Sequence, residues 1–529
     1  MSAVKKIKKN SLSYEQKNVL TLGPLFLTLI PPLWLLSNNI GLMSLLDISG
    51  LLATFLFSTG ITLVAVKYVV KDTQRTSLVT TIIIFLFFCY SMLNTSLMSF
   101  FPLLPPEFIK VLTLIIYIPI LLIGFKFRFP DVFPLWKFNQ FLNIVLGTLV
   151  ALSMYDIVHI SISENIPIHP KNIPSNIDKP FVSDNTYPDI YYIILDAHSR
   201  ADKVEEIFGS KSTTILVDEL KKRDFYVAEN SVSNYHTTLL SLSSSLNMNY
   251  LHNLVEKPSS DRINYVPFKN LINNCSIQQI LEEHSYETIN VKSKSMCTNI
   301  TAHTSFLYPK HQFNEAESRL IEMTPLLDLG FGEILKKQMH TGIEYEFAVL
   351  PKVALKDEAT FTFAHILSPH PPFVFSSTGE MVDNIPWRGY KEAVSYKGLA
   401  EEYLAGYKDQ VSYIDTLILE TIDLILKNSK QKPIIIIQAD HGSGYRERLY
   451  PEDYNTEIKL KEKMSILNAI YFPDNNYELL YDNITPVNTF RVILNKFFGK
   501  DMELLEDKSY QTTCENPYAY RDVTEIVKK

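Results

Sequence analysis

The chain has 529 residues, 46% of them hydrophobic, and a formal charge of −7. It is too long for one small domain, and it is mildly acidic, with neither a basic stripe nor an RNA-binding motif, which argues against a nucleic-acid partner. Apolar stretches dominate up to about Tyr155 and charged residues return beyond it, so the two halves suit different solvents.

Five stretches approach the roughly 17–25 apolar residues that a helix needs to cross a bilayer. They run over Val19–Leu36, Leu45–Val66, Leu78–Leu93, Val111–Phe125 and Phe141–Ile157. Lysines precede the first, but no small-residue cleavage site follows it, so the segment reads as an uncleaved anchor. Lys67, Lys71 and Arg75 follow the second stretch, and Lys126, Arg128 and Lys137 follow the fourth. The positive-inside rule then places the N-terminus in the cytoplasm and everything after about His159 outside. The stretches hold almost no ionisable residues away from their ends, which fits an anchor and excludes a polar transport path.

The stretch from Ser163 to Asp189 is rich in Pro, Asn and Asp and reads as a linker. The expected organisation is a five-span domain over 1–158, a linker over 159–188 and a soluble catalytic domain over 189–529. In that domain strands and helices alternate. "IYYIIL" (from Ile190), "FYVAE", "TFTFAHIL", "PIIIIQ" and "ILNAIYF" read as strands. "ADKVEEIF", "TTILVDELKKR", "TTLLSLSSSLNMNYL", "SIQQILEEH", Gly398 to Lys427 and "PVNTFRVILNKFFG" read as helices. The pattern predicts an α/β fold, a mostly parallel sheet with helices on both faces, whose ligands bind beyond the carboxyl ends of the strands.

Three strand exits carry polar groups: Asp196, His365 with His370 beyond it, and Asp440-His441. Each alone also fits a cap, a turn or a satisfied core histidine. Together they are oxygen and imidazole donors suited to zinc or another borderline divalent ion. "HTTLLSLSSSLN" offers Thr237, Thr238 and Ser241 at a loop-to-helix junction, where unpaired amides favour an anionic group and a hydroxyl can serve as nucleophile or simply as a cap. Of the cysteines outside the apolar half, Cys275 and Cys297 fit either a pair or free thiols.

"IILDAHSR", "HTTLLSLSSSL" and "IIIIQADHGSG", in that order, resemble the alkaline phosphatase/sulfatase superfamily over most of Pro188 to Gly499. With the apolar stretches before them, and with "HILSPHPPF" and "AGYKDQVSYIDTLI", they resemble its membrane-anchored branch, the lipid A phosphoethanolamine transferases and lipoteichoic acid synthases. The resemblance implies that Asp196, Thr238, Asp440 and His441 bind one divalent metal, zinc or alternatively manganese. Thr238 would be the nucleophile, Ser241 following it as in Thr-x-x-Ser, with Thr237 the competing choice. His370 and His365 would contact the phosphoryl group or protonate the leaving alkoxide. The implied partners are a phospholipid donor, a cell-surface glycan or lipid acceptor and the bacterial cytoplasmic membrane.

Two departures narrow this. The Cys/Ser-x-Pro-x-Arg signature of true sulfatases is absent, the candidate reading "TLLSL". No histidine follows soon after Asp-His-Gly, and Arg446 is either a substitute cation or a surface arginine. The alternative function is a sulfatase-like hydrolase of sulfate or phosphate esters on surface sugars.

Overall fold

A computed structural model of the chain describes residues 21–39, 42–126, 134–163, 187–256, 264–296, 298–302, 304–309, 312–390, 393–396, 398–449, 457–513 and 516–528. The chain divides into a helical unit, Met1–Asn165 with Ala316–Phe331, and a second unit, Ile166–Glu315 with Gly332–Lys529.

The helical unit contains α1 (Gly23–Asn38), α2 (Leu45–Val70), α3 (Thr73–Phe88), α4 (Tyr90–Phe100), α5 (Pro106–Lys126) and α6 (Leu135–Ser163). Local chemistry sets their ends. Ser44 and Asp47 form a capping box at the start of α2, and Lys71, at a φ of 63°, ends it. The Asp72 carboxylate then accepts from the Arg75 N–H at 2.7 Å and opens α3. Large side chains point outward, Phe57 at 71% exposure and Val64 at 72%, while Thr28 and Thr59 share a buried hydrogen bond of 2.8 Å.

Among the described residues three helices are long and apolar enough to cross a membrane, α2, α5 and α6 as far as His159, or four if α3 and α4, bent by 55° at Cys89, form one span. The expectation of five is therefore met only in part. The first expected stretch begins among residues outside the description and continues as α1, whose 16 residues give about 24 Å of helix against a core of about 30 Å. The sixth helix continues to Ser163, past the expected linker start, and residues 164–186 of that linker lie outside the described residues.

One piece of the helical unit comes from far along the chain. Within residues 316–331, Asp328 accepts from the Tyr90 hydroxyl at 2.8 Å and pairs with Lys110 at 3.0 Å. Nothing in the hydropathy of that stretch announces it.

The second unit is built on a seven-stranded sheet in the order β2-β7-β6-β1-β5-β3-β4. Its strands are β1 (Ile190–Leu195), β2 (Tyr226–Val227), β3 (Glu287–Val291), β4 (Thr304–Leu307), β5 (Thr360–Ile366), β6 (Ile434–Gln438) and β7 (Asn468–Tyr471). The pairs from β6 through β1, β5 and β3 to β4 are parallel, and only β7 and β2 run against their neighbours. The mostly parallel α/β expectation therefore holds. The central strands β1, β5 and β6 are buried along their whole length, which is why they read as unbroken apolar runs.

The helices of this unit include α7 (Thr238–Ser245), α8 (Gly332–Val353), α9 (Ala400–Asn428), α10 (Glu457–Met464) and α11 (Pro486–Phe498). Tyr192 of β1 packs against Phe363 of β5 and edge-on against Phe490 of α11, with ring centroids 5.8 and 5.0 Å away. Sequence periodicity missed α8, β3 and β4. The two strands, "ETINV" and "TSFL", carry polar residues through their length, and the helix mixes buried Lys336 and Glu346 into its apolar face. Cys275 is a free, buried thiol, and Cys297 lies outside the described residues.

Candidate metal centre

Register brings the polar exits together. β1 lies between β5 and β6, with Ile194 opposite both His365 and Gln438. Two residues beyond those pairs stand Asp196 and Asp440, and neighbouring strands are only about 4.8 Å apart. The acids thus meet because their strands are adjacent, although more than two hundred residues separate them in the chain.

The turn after β1 is held tightly. Ala197 adopts a left-handed φ of 62°, a conformation costly for a residue with a side chain. Its N–H donates to Asp440 Oδ1 at 3.1 Å, and its carbonyl accepts from the Tyr407 hydroxyl of α9 at 2.8 Å. Asp440 Oδ1 also accepts the His441 N–H at 2.9 Å, which leaves Oδ2 buried and without a hydrogen-bond partner. Asp196 Oδ1 is likewise buried and unpartnered.

His441 Nδ1 faces the Gly442 carbonyl at 2.9 Å. A carbonyl only accepts, so Nδ1 carries the proton and the Nε2 lone pair points inward. There it lies 3.7 Å from Asp196 Oδ1, 3.5 Å from Asp440 Oδ2 and 3.2 Å from the Thr238 hydroxyl. One donor atom from each of Asp196, Asp440 and His441 falls within a 4.8 Å cluster. Two orphaned carboxylate oxygens facing one imidazole lone pair, all buried, are costly unless a cation joins them. The residues present therefore fit the divalent metal that the resemblance implies.

Thr238 opens α7, and the preceding Thr237 makes no side-chain cap, so the first-turn amides keep their donors. His370 is 7% exposed; its backbone N–H donates to the Asp196 carbonyl at 3.0 Å, and its ring centroid lies 6.4 Å from that of His441. His365 is 1% exposed, with Nε2 3.2 Å from Asp196 Oδ2 and Nδ1 2.8 Å from the Thr298 hydroxyl. Burial pushes the Asp196 carboxyl up, but the neighbouring imidazoles, His370 first and then His365 and His441, outweigh it. The carboxyl is held below the usual range and ionised at neutral pH.

Other candidates fall outside this centre. His198, two residues past Asp196, turns away from the centre: Nε2 meets Asp415 Oδ1 at 2.7 Å and Nδ1 the Ser199 carbonyl at 3.0 Å. The Arg446 guanidinium pairs with Glu206 at 2.7 Å on a partly exposed surface.

The glycines after His441 serve the packing of the backbone. A Cβ on Gly442 would stand 2.3 Å from the Glu462 carbonyl of α10. The approach is backbone to backbone. Gly444 holds a φ of 70°, which glycine adopts without strain. Glu462, fully buried, then accepts from the Ser443 hydroxyl and the Tyr445 N–H at 2.5 Å each and from the Arg446 N–H at 3.1 Å. This carboxylate fixes the loop behind His441. No sequence signal separates it from the surface acids of a helix whose neighbours are lysines.

In solved structures the chain is similar to the C-terminal periplasmic domain of EcEptC from Escherichia coli in complex with Zn, at 12% identity and a TM-score of 0.41, covering 65% of this chain and 94% of that one. It is also similar to the integral membrane lipooligosaccharide phosphoethanolamine transferase A from Neisseria meningitidis, at 11% identity and a TM-score of 0.41, covering 89% and 95%. The phosphonate monoester hydrolase of Agrobacterium radiobacter is similar at 14% identity and a TM-score of 0.38, covering 61% and 80%. No curated protein matches the sequence. The family model described as Sulfatase matches residues 188–492. Because that match takes in more than half of the sequence and every converging side chain of the centre, the chain belongs to the sulfatase family of enzymes.

Proposed function

We propose that the protein is a metal-dependent phospho-group transferase of the bacterial cell envelope. It takes a phospholipid-derived headgroup, phosphoethanolamine or phosphoglycerol, and passes it through a phosphothreonine on Thr238 to a surface glycan or lipid. The observation that carries the reading is the Thr238 hydroxyl, 3.2 Å from His441 Nε2 beside two orphaned carboxylate oxygens, at a helix start with open amides.

Asp196, Asp440, His441 and the Thr238 oxygen hold the divalent ion, zinc or manganese, which when bound supplies Lewis acidity that lowers the hydroxyl pKa. The Thr238 hydroxyl gives its proton to solvent and its oxygen attacks phosphorus; the Oγ–P bond forms as the bond from phosphorus to the diacylglycerol oxygen breaks. His370 supplies a proton to the leaving alkoxide, so diacylglycerol departs neutral. First-turn amides of α7 hold the phosphoryl oxygens. An acceptor hydroxyl then displaces Thr238 from phosphorus, its proton passing to His370 while the released Thr238 oxygen takes one from solvent. The helical unit is read as a five-span anchor with its N-terminus in the cytoplasm and the catalytic domain outside, which tethers the chain to the membrane that holds the donor.

Hydrolysis of surface sulfate or phosphate esters would use the same centre. Against sulfate stands "TLLSL", which lacks the Cys/Ser-x-Pro-x-Arg signature. Diacylglycerol release from labelled phosphatidylethanolamine and phosphatidylglycerol tests the choice. Thr238→Ala should lower release at least ~10³-fold, as removal of a nucleophile does. No release by wild type, with a soluble sulfate or phosphate ester cleaved instead, would establish the hydrolase.

A further inference from the structure

We propose that Thr298 acts through His365 to orient the Asp196 carboxylate toward the metal. The inference rests on the reading of Asp196 as a metal ligand and assigns His365 a positioning role, with no contact to the transferred group.

Sheet order puts Thr298 where it can do this. It lies on the connection from β3 to β4, and β3 is the neighbour of β5, so a loop leaving β3 at its carboxyl end passes over the carboxyl end of β5. His365 is the penultimate residue there. The loop is pinned on both sides of Thr298. Asn290, buried in β3, donates from Nδ2 to Asn299 Oδ1 at 3.0 Å and accepts the Ile300 N–H at 2.9 Å. Asn299 Oδ1 also accepts the Ser293 N–H at 3.1 Å, and its Nδ2 donates to the Ser295 carbonyl at 2.9 Å. An asparagine clasp therefore fixes the residue next to Thr298, and the threonine with it.

Proton placement follows from the partners. His365 Nε2 has no aligned hydrogen-bond partner, and its carboxylate neighbour is Asp196 Oδ2 at 3.2 Å. An ionised carboxylate only accepts, so Nε2 carries the proton, and in the neutral ring Nδ1 accepts from the Thr298 hydroxyl at 2.8 Å. Thr298 and His365 are each 1% exposed, so bulk solvent does not compete for the bond between them. The hydroxyl thus selects the tautomer that faces Asp196, and the ring engages Oδ2 while Oδ1 remains orphaned toward His441 and Asp440. A partner that fixes a ligand carboxylate in this way is worth about 10–100-fold in metal affinity.

The test is zinc affinity of the purified full-length chain, measured by chelator competition. Thr298→Val keeps the shape and removes the hydroxyl, and should weaken zinc at least ~10-fold. Thr298→Ser should stay within about 3-fold of wild type, because it restores the hydroxyl. In a His365→Ala background Thr298→Val should change the affinity less than about 2-fold, since residues acting as one unit are not additive. Thermal unfolding without metal checks that the variants fold, and Thr298→Ala replaces Thr298→Val if the latter does not. Unchanged zinc binding in the variant lacking the hydroxyl, or an equal loss without His365, overturns the inference. A wild type that binds neither zinc nor manganese removes the metal centre itself. Zinc binding that responds as expected, in a chain that releases no diacylglycerol, removes only the headgroup reading.

Discussion

The helical unit and the catalytic unit place the same kind of residue on opposite sides. In the first, Phe57, Val64 and Leu46 are mostly exposed, while buried polar groups such as Thr28 and Thr59 pair inside. In the second, Ile436, Phe363 and Tyr192 are sealed in the sheet. An outward apolar face is stable where the surroundings are hydrocarbon, and an inward one where they are water. The contrast teaches how the second unit concentrates unpaired carboxylate oxygens at one edge. A sheet whose strand bodies are dry delivers Asp196, Asp440 and His441 to a single edge, and the burial behind them keeps their lone pairs from water.

The largest effect that would sharpen this contrast is chemical. Asp440→Ala should abolish metal binding and lower turnover by at least ~10³-fold, because a catalytic ligand is lost. Circular dichroism should show an intact fold, since the residue lies beyond the strand. A chain that unfolds on this substitution, with metal absent throughout, would make Asp440 a structural acid and sink the metal centre.

Next come paired substitutions that compare the two surroundings directly. Ile436→Ala, at the middle of β6, should destabilise the catalytic unit by about 2–5 kcal/mol through the cavity it leaves. Phe57→Ala should leave that unit unchanged. Phe57→Asp should instead oppose membrane insertion of α2, at about 2.5–3.5 kcal/mol for an acid at the helix centre. Urea unfolding and a membrane-insertion assay separate these outcomes. Insertion indifferent to Phe57→Asp would show that this face does not meet lipid.

The smallest effect concerns pH. Burial lifts the Glu346 carboxyl of α8 to about 8, with the charge of Lys294 pulling the other way. The folded chain then keeps a proton that the unfolded chain, near its ordinary value of 4.5, has released. Its contribution to stability is complete below the unfolded value and disappears as the pH rises to about 8. The urea midpoint of the catalytic unit should fall over that window, and Glu346→Gln should flatten the fall. Equal slopes in the two proteins would remove Glu346 as its source.

Sequence alone determined what depends on local pattern. Apolar stretches marked the helical half, because hydropathy is a sum over neighbours. Unbroken isoleucines marked β6, because a strand covered on both faces needs no alternation. The order Asp196, Thr238, Asp440-His441 identified the family. Tertiary structure decided what depends on adjacency between distant segments. Strand order set β1 between β5 and β6 and so joined acids far apart in sequence. It turned His198 toward Asp415, brought Thr298 onto His365, and placed residues 316–331 with the helical unit. Glu462 and the close approach at Gly442 belong to the same class. A hydrogen bond across the sheet leaves no periodicity in either partner, so only the folded chain reveals it.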